Sequence, residues 1–321
     1  MQAGPERVYL AQRQRLRRTT VTERLFDEKT LRQLDQLLLI AHRVRAGVMK
    51  GERRSVRRGT SLEFADYRNY TRGDDLRRVD WNIFARLERP FVKLFEEEED
   101  LAVHVLLDAS ASMDFPREGG GDPKHHKFRF AQRVGAALAY IALAGGDNVA
   151  VTALYGAGLN VTWGPHRGRG RSLALLEYIS ALKPAGNLDL SGALRDYAMR
   201  HPRPGLCLLI SDLLAPNGWQ DGIAALQGAG HEVVIIHLLS PEEIEPPLAG
   251  DLRLVDVESG ATADVTIDAA MRDLYLRRLL AWRDEIAAYA RKRGTHYAAV
   301  ETSANWATLI MSELQRLGVI R

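Results

Sequence analysis

Cysteine is nearly absent: the 321-residue chain has one, Cys207. A single thiol excludes an intrachain disulfide framework and a cysteine-built zinc site, and it fits a reducing compartment. Cys207 lies in the apolar run Leu206-Cys-Leu-Leu-Ile and reads as a buried, inert thiol. Long hydrophobic runs are also missing. The longest, Val134 to Gly145, falls short of the roughly 18 to 20 residues that span a bilayer and reads as a core helix. Met1 to Val8 has no apolar core and no small-residue cleavage site, so no secretory leader is expected and a cytoplasmic location is. There is no internal repeat and no low-complexity tract. No Gly-x-x-x-x-Gly-Lys-Ser/Thr or Gly-x-Gly-x-x-Gly occurs, which removes the common phosphate loops. The absence of His-Glu-x-x-His and Gly-x-Ser-x-Gly disfavours zinc proteases and α/β hydrolases.

What is present is an ordinary globular composition, 46% apolar and 26% charged, with a net charge of +3. The near-neutral total hides an asymmetry. Residues 1–58 carry 15 Lys and Arg against 6 Asp and Glu, so the remainder is acidic. Tyr9 and Phe26 are the only aromatics of this arm, too few for a base-stacking platform. It reads as a solvated helix face and a frayed terminus; the rival reading is a nucleic-acid surface, which the sequence disfavours.

Residues 1–30 read as a basic, flexible arm. Thr30 then precedes Leu31, Leu34, Leu37, Leu38, Ala41 and Val44, the spacing of a capped helix. With the aromatic, Arg- and Asp-rich stretch that follows, it makes a segment over 31–100, expected to pack on a sheet. That segment includes a strand at Phe91 to Phe95. From 101 to 321 the chain alternates. Strands are expected at Val103–Leu107, Val149–Leu154, Leu206–Ile210, Glu232–Leu239 and His296–Val300, with Leu159–Trp163 returning across a hairpin at Tyr155–Gly158. Helices are expected at Phe128–Ala144, Leu173–Leu182, Leu190–Met199, Trp219–Gln227, Ala269–Lys292 and Trp306–Leu317. Near-continuous Val, Ile and Leu strands separated by helices predict an α/β fold, with a mostly parallel sheet covered on both faces. A hairpin inserted at about 241–268 interrupts it.

Ligands of such sheets bind outside the carboxyl ends of the strands. Two strand ends are acidic: Leu107-Asp108-Ala-Ser110-Ala-Ser112 and Ile210-Ser211-Asp212. Asp108, Ser110 and Ser112 step by two, which places three oxygens on one side of an extended loop. With Asp212 from a neighbouring strand they suit a hard cation such as Mg2+. The same residues also allow a turn that satisfies its own backbone, with Asp212 capping the next helix. Neither serine has an evident paired base, so no catalytic residue is assigned. A metal-assisted phosphohydrolase on these carboxylates would need a general base that the sequence does not place. His125 and His126 sit in a Gly/Pro-rich loop beside this position. His166-Arg-Gly-Arg-Gly-Arg171 reads as a basic surface loop.

A second constellation is the string Gly59-Thr-Ser-Leu-Glu63-Phe64-Ala-Asp66-Tyr67-Arg68-Asn-Tyr70-Thr-Arg72-Gly73-Asp74-Asp75-Leu-Arg77-Arg78-Val-Asp80-Trp81-Asn-Ile-Phe84-Ala85-Arg86. Arg offers carboxylates a planar fork and stacks on rings. The string therefore reads as an ion-pair and turn network, or as a docking surface of Arg68, Asp74, Asp75, Arg77, Asp80, Trp81 and Arg86.

This string resembles the hallmark of the bacterial family called domain of unknown function 58. Asp108-x-Ser110-x-Ser112 after an apolar strand resembles the metal-ion-dependent adhesion site of von Willebrand factor A domains. The resemblance runs from about Leu31 to the C-terminus. It implies a von Willebrand factor A-like, Rossmann-like fold. It also implies a non-enzymatic binding module that acts with a MoxR-type AAA+ ATPase, whose gene often lies beside the family's, in assembly, maturation or metal insertion of other proteins. The adhesion-site pattern includes a Thr from a second loop. Here that loop is Ala185-Gly-Asn187-Leu188-Asp189, and Leu188 falls at the Thr position. Leucine cannot ligate, so Asp189 or Asn187 would supply a substitute oxygen, directly or through water, to a weak Mg2+ site. A metal-free scaffold of the same fold is the alternative.

Overall fold

The computed structural model describes residues 30, 32–33, 63–71, 79–87, 89–96, 102–117, 121–156, 158–255 and 260–310, with 63–68 and 93–96 by backbone only. The chain divides into two compact units: Ala46–Leu101, and Met1–Arg45 together with Ala102–Arg321. The expected helix after Thr30 lies outside the described residues, apart from 30 and 32–33, which are helical.

In the smaller unit, β1 (Glu63–Asn69) and β2 (Phe91–Glu96) pair antiparallel, with an irregularity between Phe64 and Asp66. Between them lies the two-turn helix α1 (Trp81–Leu87). Asp80 starts it: its Oδ1 accepts the amides of Asn82 (2.9 Å) and Ile83 (3.2 Å), groups that the first turn leaves without helical partners.

The larger unit is built on six strands: β3 (Ala102–Asp108), β4 (Asn148–Leu154), β5 (Val161–His166), β6 (Leu206–Ser211), β7 (Glu232–Leu239) and β10 (His296–Glu301). They stand in the order β10-β7-β6-β3-β4-β5, all parallel except β5, which pairs antiparallel with β4. Numbered along the chain this is 6-5-4-1-2-3, the doubly wound order, so the direction of winding reverses between β3 and β6. A separate ribbon, β8 (Gly250–Val255) with β9 (Thr262–Ile267), follows β7.

Strand alternation splits the core into two layers. Val103, Val105 and Leu107 of β3 join Leu208 and Ile210 of β6 and the buried stripe of α2 (Lys127–Ala144). Leu175 and Ile179 of α3 (Ser172–Ala181) and Trp306, Leu309 and Ile310 complete that layer. Leu106, Cys207, Leu209, Val233 and Ile235 face the other way. They meet α4 (Leu190–Arg200), α5 (Gln220–Gly228) and Ile286 of α7 (Ala269–Arg293). Each fully buried Leu, Ile or Val in these layers contributes about 1.5–3 kcal/mol. Helix α2 is rich in alanine, which lets it lie close to the sheet. At Gly135 a methyl group would sit 2.8 Å from Leu107 Cδ2. Its buried Gln132 is satisfied by the carbonyls of Ile179 (2.6 Å) and Leu182 (3.2 Å). Helix α7 ends at Gly294, whose left-handed φ of 66° the lack of a Cβ makes easy. Among the described residues no helix is long and apolar enough to cross a membrane.

Candidate functional site

The reversal point between β3 and β6 brings two acidic strand ends side by side. Strand β3 ends at Asp108, and the loop after it is fixed on two sides. The amide of Ala109 bonds to Leu154 O at the end of β4 (3.1 Å). Ala109 O and the Ala111 amide exchange bonds with Ala185 and Gly186 of the second loop (2.8 and 2.9 Å). A short 3-10 turn, Ala111–Met113, follows, anchored by the fully buried Met113.

Asp108 is buried and held by neutral donors. Its Oδ1 accepts the Ser110 amide at 2.9 Å and the Ser110 hydroxyl at 2.6 Å. Its Oδ2 accepts the Ser211 hydroxyl at 2.5 Å. Ser110 and Ser112 hydroxyls lie 2.9 Å apart, so the three oxygens that step by two along the loop do meet. Among the described residues no cationic side chain pairs with Asp108. Burial first, and the charge of Asp212 second, push its carboxyl up to about 6, against the pull of the Ser110 and Ser211 bonds.

Asp212 is treated differently. Burial would raise its pKa, but the Lys127 ammonium, 2.6 Å from Oδ2, outweighs this and holds it below the usual carboxylate value. The Ser112 hydroxyl acts in the same direction. The other Asp212 oxygen accepts the Leu214 amide at 3.0 Å, as Ser211 Oγ accepts that of Leu213 at 2.9 Å. Leu213 is the one non-glycine residue with positive φ (55°) among those described. Such a conformation costs on the order of 1 kcal/mol and marks a turn held by its surroundings.

Lys127 is the first residue of α2 and has no exposed surface. Its ammonium also reaches Glu243 Oε1 at 2.6 Å and lies 5.8 Å from the centre of the Phe115 ring. Burial works against the ammonium, but Asp212 and Glu243 more than offset it and raise its pKa. Glu243 belongs to a one-turn helix, α6 (Pro241–Ile244), where it closes a reciprocal cap with Ser240. Its own pKa is raised, because burial exceeds the pull of Lys127. Neighbouring Glu242 ties down the loop before α2 through the Asp122 amide (3.1 Å) and His125 Nδ1 (2.9 Å).

The structure therefore brings together Asp108, Ser110, Ser112 and Asp212. It does not bring in the second loop's side chains. Leu188 is buried in the apolar layer with Leu106 and Leu154, and the Asp189 carboxylate accepts the Gly192 amide (3.1 Å) as the cap of α4. Three participants escaped the sequence reading. Ser211 was accessible by alternation, since it shares a face with Cys207 and Leu209. Glu243 was accessible from the Ser-Pro-Glu-Glu capping pattern after β7. Lys127 carried no signal: a lysine opening an amphipathic helix reads as a surface residue. Among the described residues no group of three or more His, Cys, Asp or Glu side chains is arranged to hold a metal ion. A cation here would depend on hydroxyls.

Of the expected docking residues, Asp74, Asp75 and Arg77 lie outside the described residues, and Arg68 is described by its backbone in β1. Asp80 is buried as the α1 cap. Trp81 and Arg86 are exposed on α1, Trp81 edge-on to Phe84 at 6.0 Å.

The chain is similar to several known proteins. BatB from Bacteroides thetaiotaomicron is 16% identical, with a TM-score of 0.42, covering 68% of this chain and 99% of that one. An aerotolerance-related membrane protein from Bacteroides fragilis gives the same values: 16%, 0.42, 68% and 99%. Uncharacterized proteins of Mycobacterium bovis and Mycobacterium tuberculosis are 33% identical over 286 residues, 87% of this chain and 87% of theirs. Residues 66–285 match the family model described as "Protein of unknown function DUF58", and the chain belongs to that family.

Proposed function

We propose that this chain is a non-enzymatic protein-interaction module of von Willebrand factor A-like architecture. It docks its partner at the carboxyl end of the sheet and acts with a MoxR-type AAA+ ATPase in assembly or maturation of other proteins. One observation carries the reading. At the winding reversal, a buried carboxylate, Asp108, is held by three neutral donors, shares its loop with two hydroxyls, and has no cationic partner among the described residues. The donor set of Asp108, Ser110 and Ser112 suits a hard cation that keeps several waters. When bound, such an ion supplies an open coordination position that a partner carboxylate fills. The chain's own part is to hold three oxygens within reach of that position and to keep Asp108 ionised through Ser110 and Ser211.

The set fits a weak site only. Leu188 gives no oxygen, Asp189 is spent on a helix cap, and Asp212 is paired with Lys127. The Lys127 pairing is also what favours the alternative, a metal-free scaffold of the same fold. The enzyme reading gains nothing. The Ser110 hydroxyl contacts Asp108 and the Ser112 hydroxyl, and no described histidine hydrogen-bonds either serine.

The test is direct binding between this protein and the MoxR-type ATPase of the same genome, with Mg2+ and with chelator, for the wild type and Asp108→Ala. Binding that needs Mg2+ and is lost in the variant is expected. Equal affinity in both buffers selects the metal-free scaffold. No binding under any condition removes the proposed partner.

A further inference from the structure

The second acidic position of the site already has a cation, and it is covalently part of the chain. Asp212 Oδ2 lies 2.6 Å from Lys127 Nζ, and Asp212 Oδ1 accepts the Leu214 amide at 3.0 Å, so both carboxylate oxygens are engaged. The ammonium is fixed rather than wandering. It is bound by Glu243 at 2.6 Å and covered by the Phe115 ring, and its backbone amide donates to Phe115 O at 2.7 Å. Lys127 is fully buried and Asp212 is 1% exposed, so no solvent path lets the pair separate cheaply. Asp108 differs in every one of these respects that concerns charge: its donors are two hydroxyls and an amide.

We propose that the Lys127 ammonium is a built-in cation that occupies Asp212 and thereby confines any divalent ion to Asp108, Ser110 and Ser112. Lys127 is then the residue that sets the cation affinity of the site. A divalent ion entering beside it meets one free carboxylate instead of two, and a neighbouring positive charge. This rests on the cation reading of the Asp108 loop given above.

The experiment is calorimetric titration with Mg2+ alone, after chelator treatment, on four full-length proteins. They are the wild type, Lys127→Met/Glu243→Gln, the same pair with Asp108→Asn added, and Asp212→Asn. The double variant removes one positive and one negative charge, so the buried total is unchanged while Asp212 is released. Circular dichroism and urea midpoints establish that each protein is folded. The double variant is expected to bind Mg2+ at least about tenfold more tightly than the wild type, 1.4 kcal/mol, and to lose this with Asp108→Asn. Asp212→Asn is expected to stay within about threefold of the wild type, because Asp212 gives the ion nothing there to lose. That arm decides the matter if the double variant does not fold. Equal affinity of wild type and double variant, or a loss of about tenfold or more in Asp212→Asn, overturns the role of Lys127 and leaves the cation site standing. No Mg2+ binding by either the wild type or the double variant overturns the cation reading itself.

Discussion

The far end of β3 makes a quantitative prediction about acid. His104 sits near its start, 6% exposed, with Nδ1 2.8 Å from the Tyr197 hydroxyl. The His231 ring stands edge-on at 4.8 Å, the His201 ring lies 6.4 Å away, and His201 stacks on Tyr197 at 4.0 Å. Burial first, then the charges that His231 and His201 would carry, lower the His104 pKa from 6.5 to about 4. The folded value is depressed, so between these two values the unfolded chain binds more protons than the folded one. Stability from this residue is complete above about pH 6.5 and drains away as pH falls towards 4. Each pKa unit corresponds to about 1.4 kcal/mol, so the loss is about 3 kcal/mol. His104→Asn keeps a polar group close to the position of Nδ1 for Tyr197 and cannot ionise. Urea unfolding at a series of pH values from 7 to 4 measures both proteins. The variant starts less stable at pH 7 because it is smaller, but its curve is flatter, and the gap closes by about 3 kcal/mol by pH 4. Parallel curves would refute the assignment.

Other outcomes follow from single contacts. Lys127→Met alone strands Asp212 and Glu243 without their shared ammonium and lowers urea stability by about 3–5 kcal/mol, whereas adding Glu243→Gln restores part of it. Gly205→Ala places a methyl 2.1 Å from Ala102 O at the start of the neighbouring strand, and should lower the urea midpoint by an amount equivalent to about 1–3 kcal/mol. Asp80→Ala removes the α1 cap, which is worth about 1 kcal/mol, and hydrogen exchange of the Asn82 and Ile83 amides should accelerate.

The larger unit was legible because its signals are of the strongest kind. Four apolar runs too short for helices became β3, β4, β6 and β7 within a residue of their expected bounds, and Gly294 ended the long helix where its φ of 66° requires glycine. The return strand was displaced. It was expected at Leu159–Trp163 and forms at Val161–His166, because Asn160 stays in the turn, its side chain accepting the Tyr155 amide and donating to Ala193 O. In the smaller unit β2 was visible as alternation, but β1 was not. Its pairing shifts between Phe64 and Asp66, and such an irregularity breaks the period of two that a strand shows in sequence. Helix α1 was hidden for another reason. It is two turns long, too short for Trp81, Ile83, Phe84 and Leu87 to establish a helical period in the sequence.

The site divides along the same line. Asp108, Ser110, Ser112 and Asp212 are readable because strand ends and steps of two are local facts, and topology then brings the ends together. What decides the chemistry is not local. Lys127 lies 85 residues from Asp212 and 116 from Glu243, and only the packing of α2 across the end of the sheet puts one ammonium between them. A buried lysine stays charged where carboxylates offset its desolvation, as Asp212 and Glu243 do for Lys127. Sequence shows the carboxylates and the lysine separately, each plausible on a surface. Leu188 points the same way from the opposite side: a hydrocarbon where the adhesion-site pattern has a hydroxyl, in the same buried layer as Leu106 and Leu154. Of the positions that the resemblance marks, Leu188 lies in the core and Asp212 is paired with the chain's own lysine. On the proposed cation reading, this leaves Asp108 and its two serines to meet an ion, beside the buried charge of Lys127.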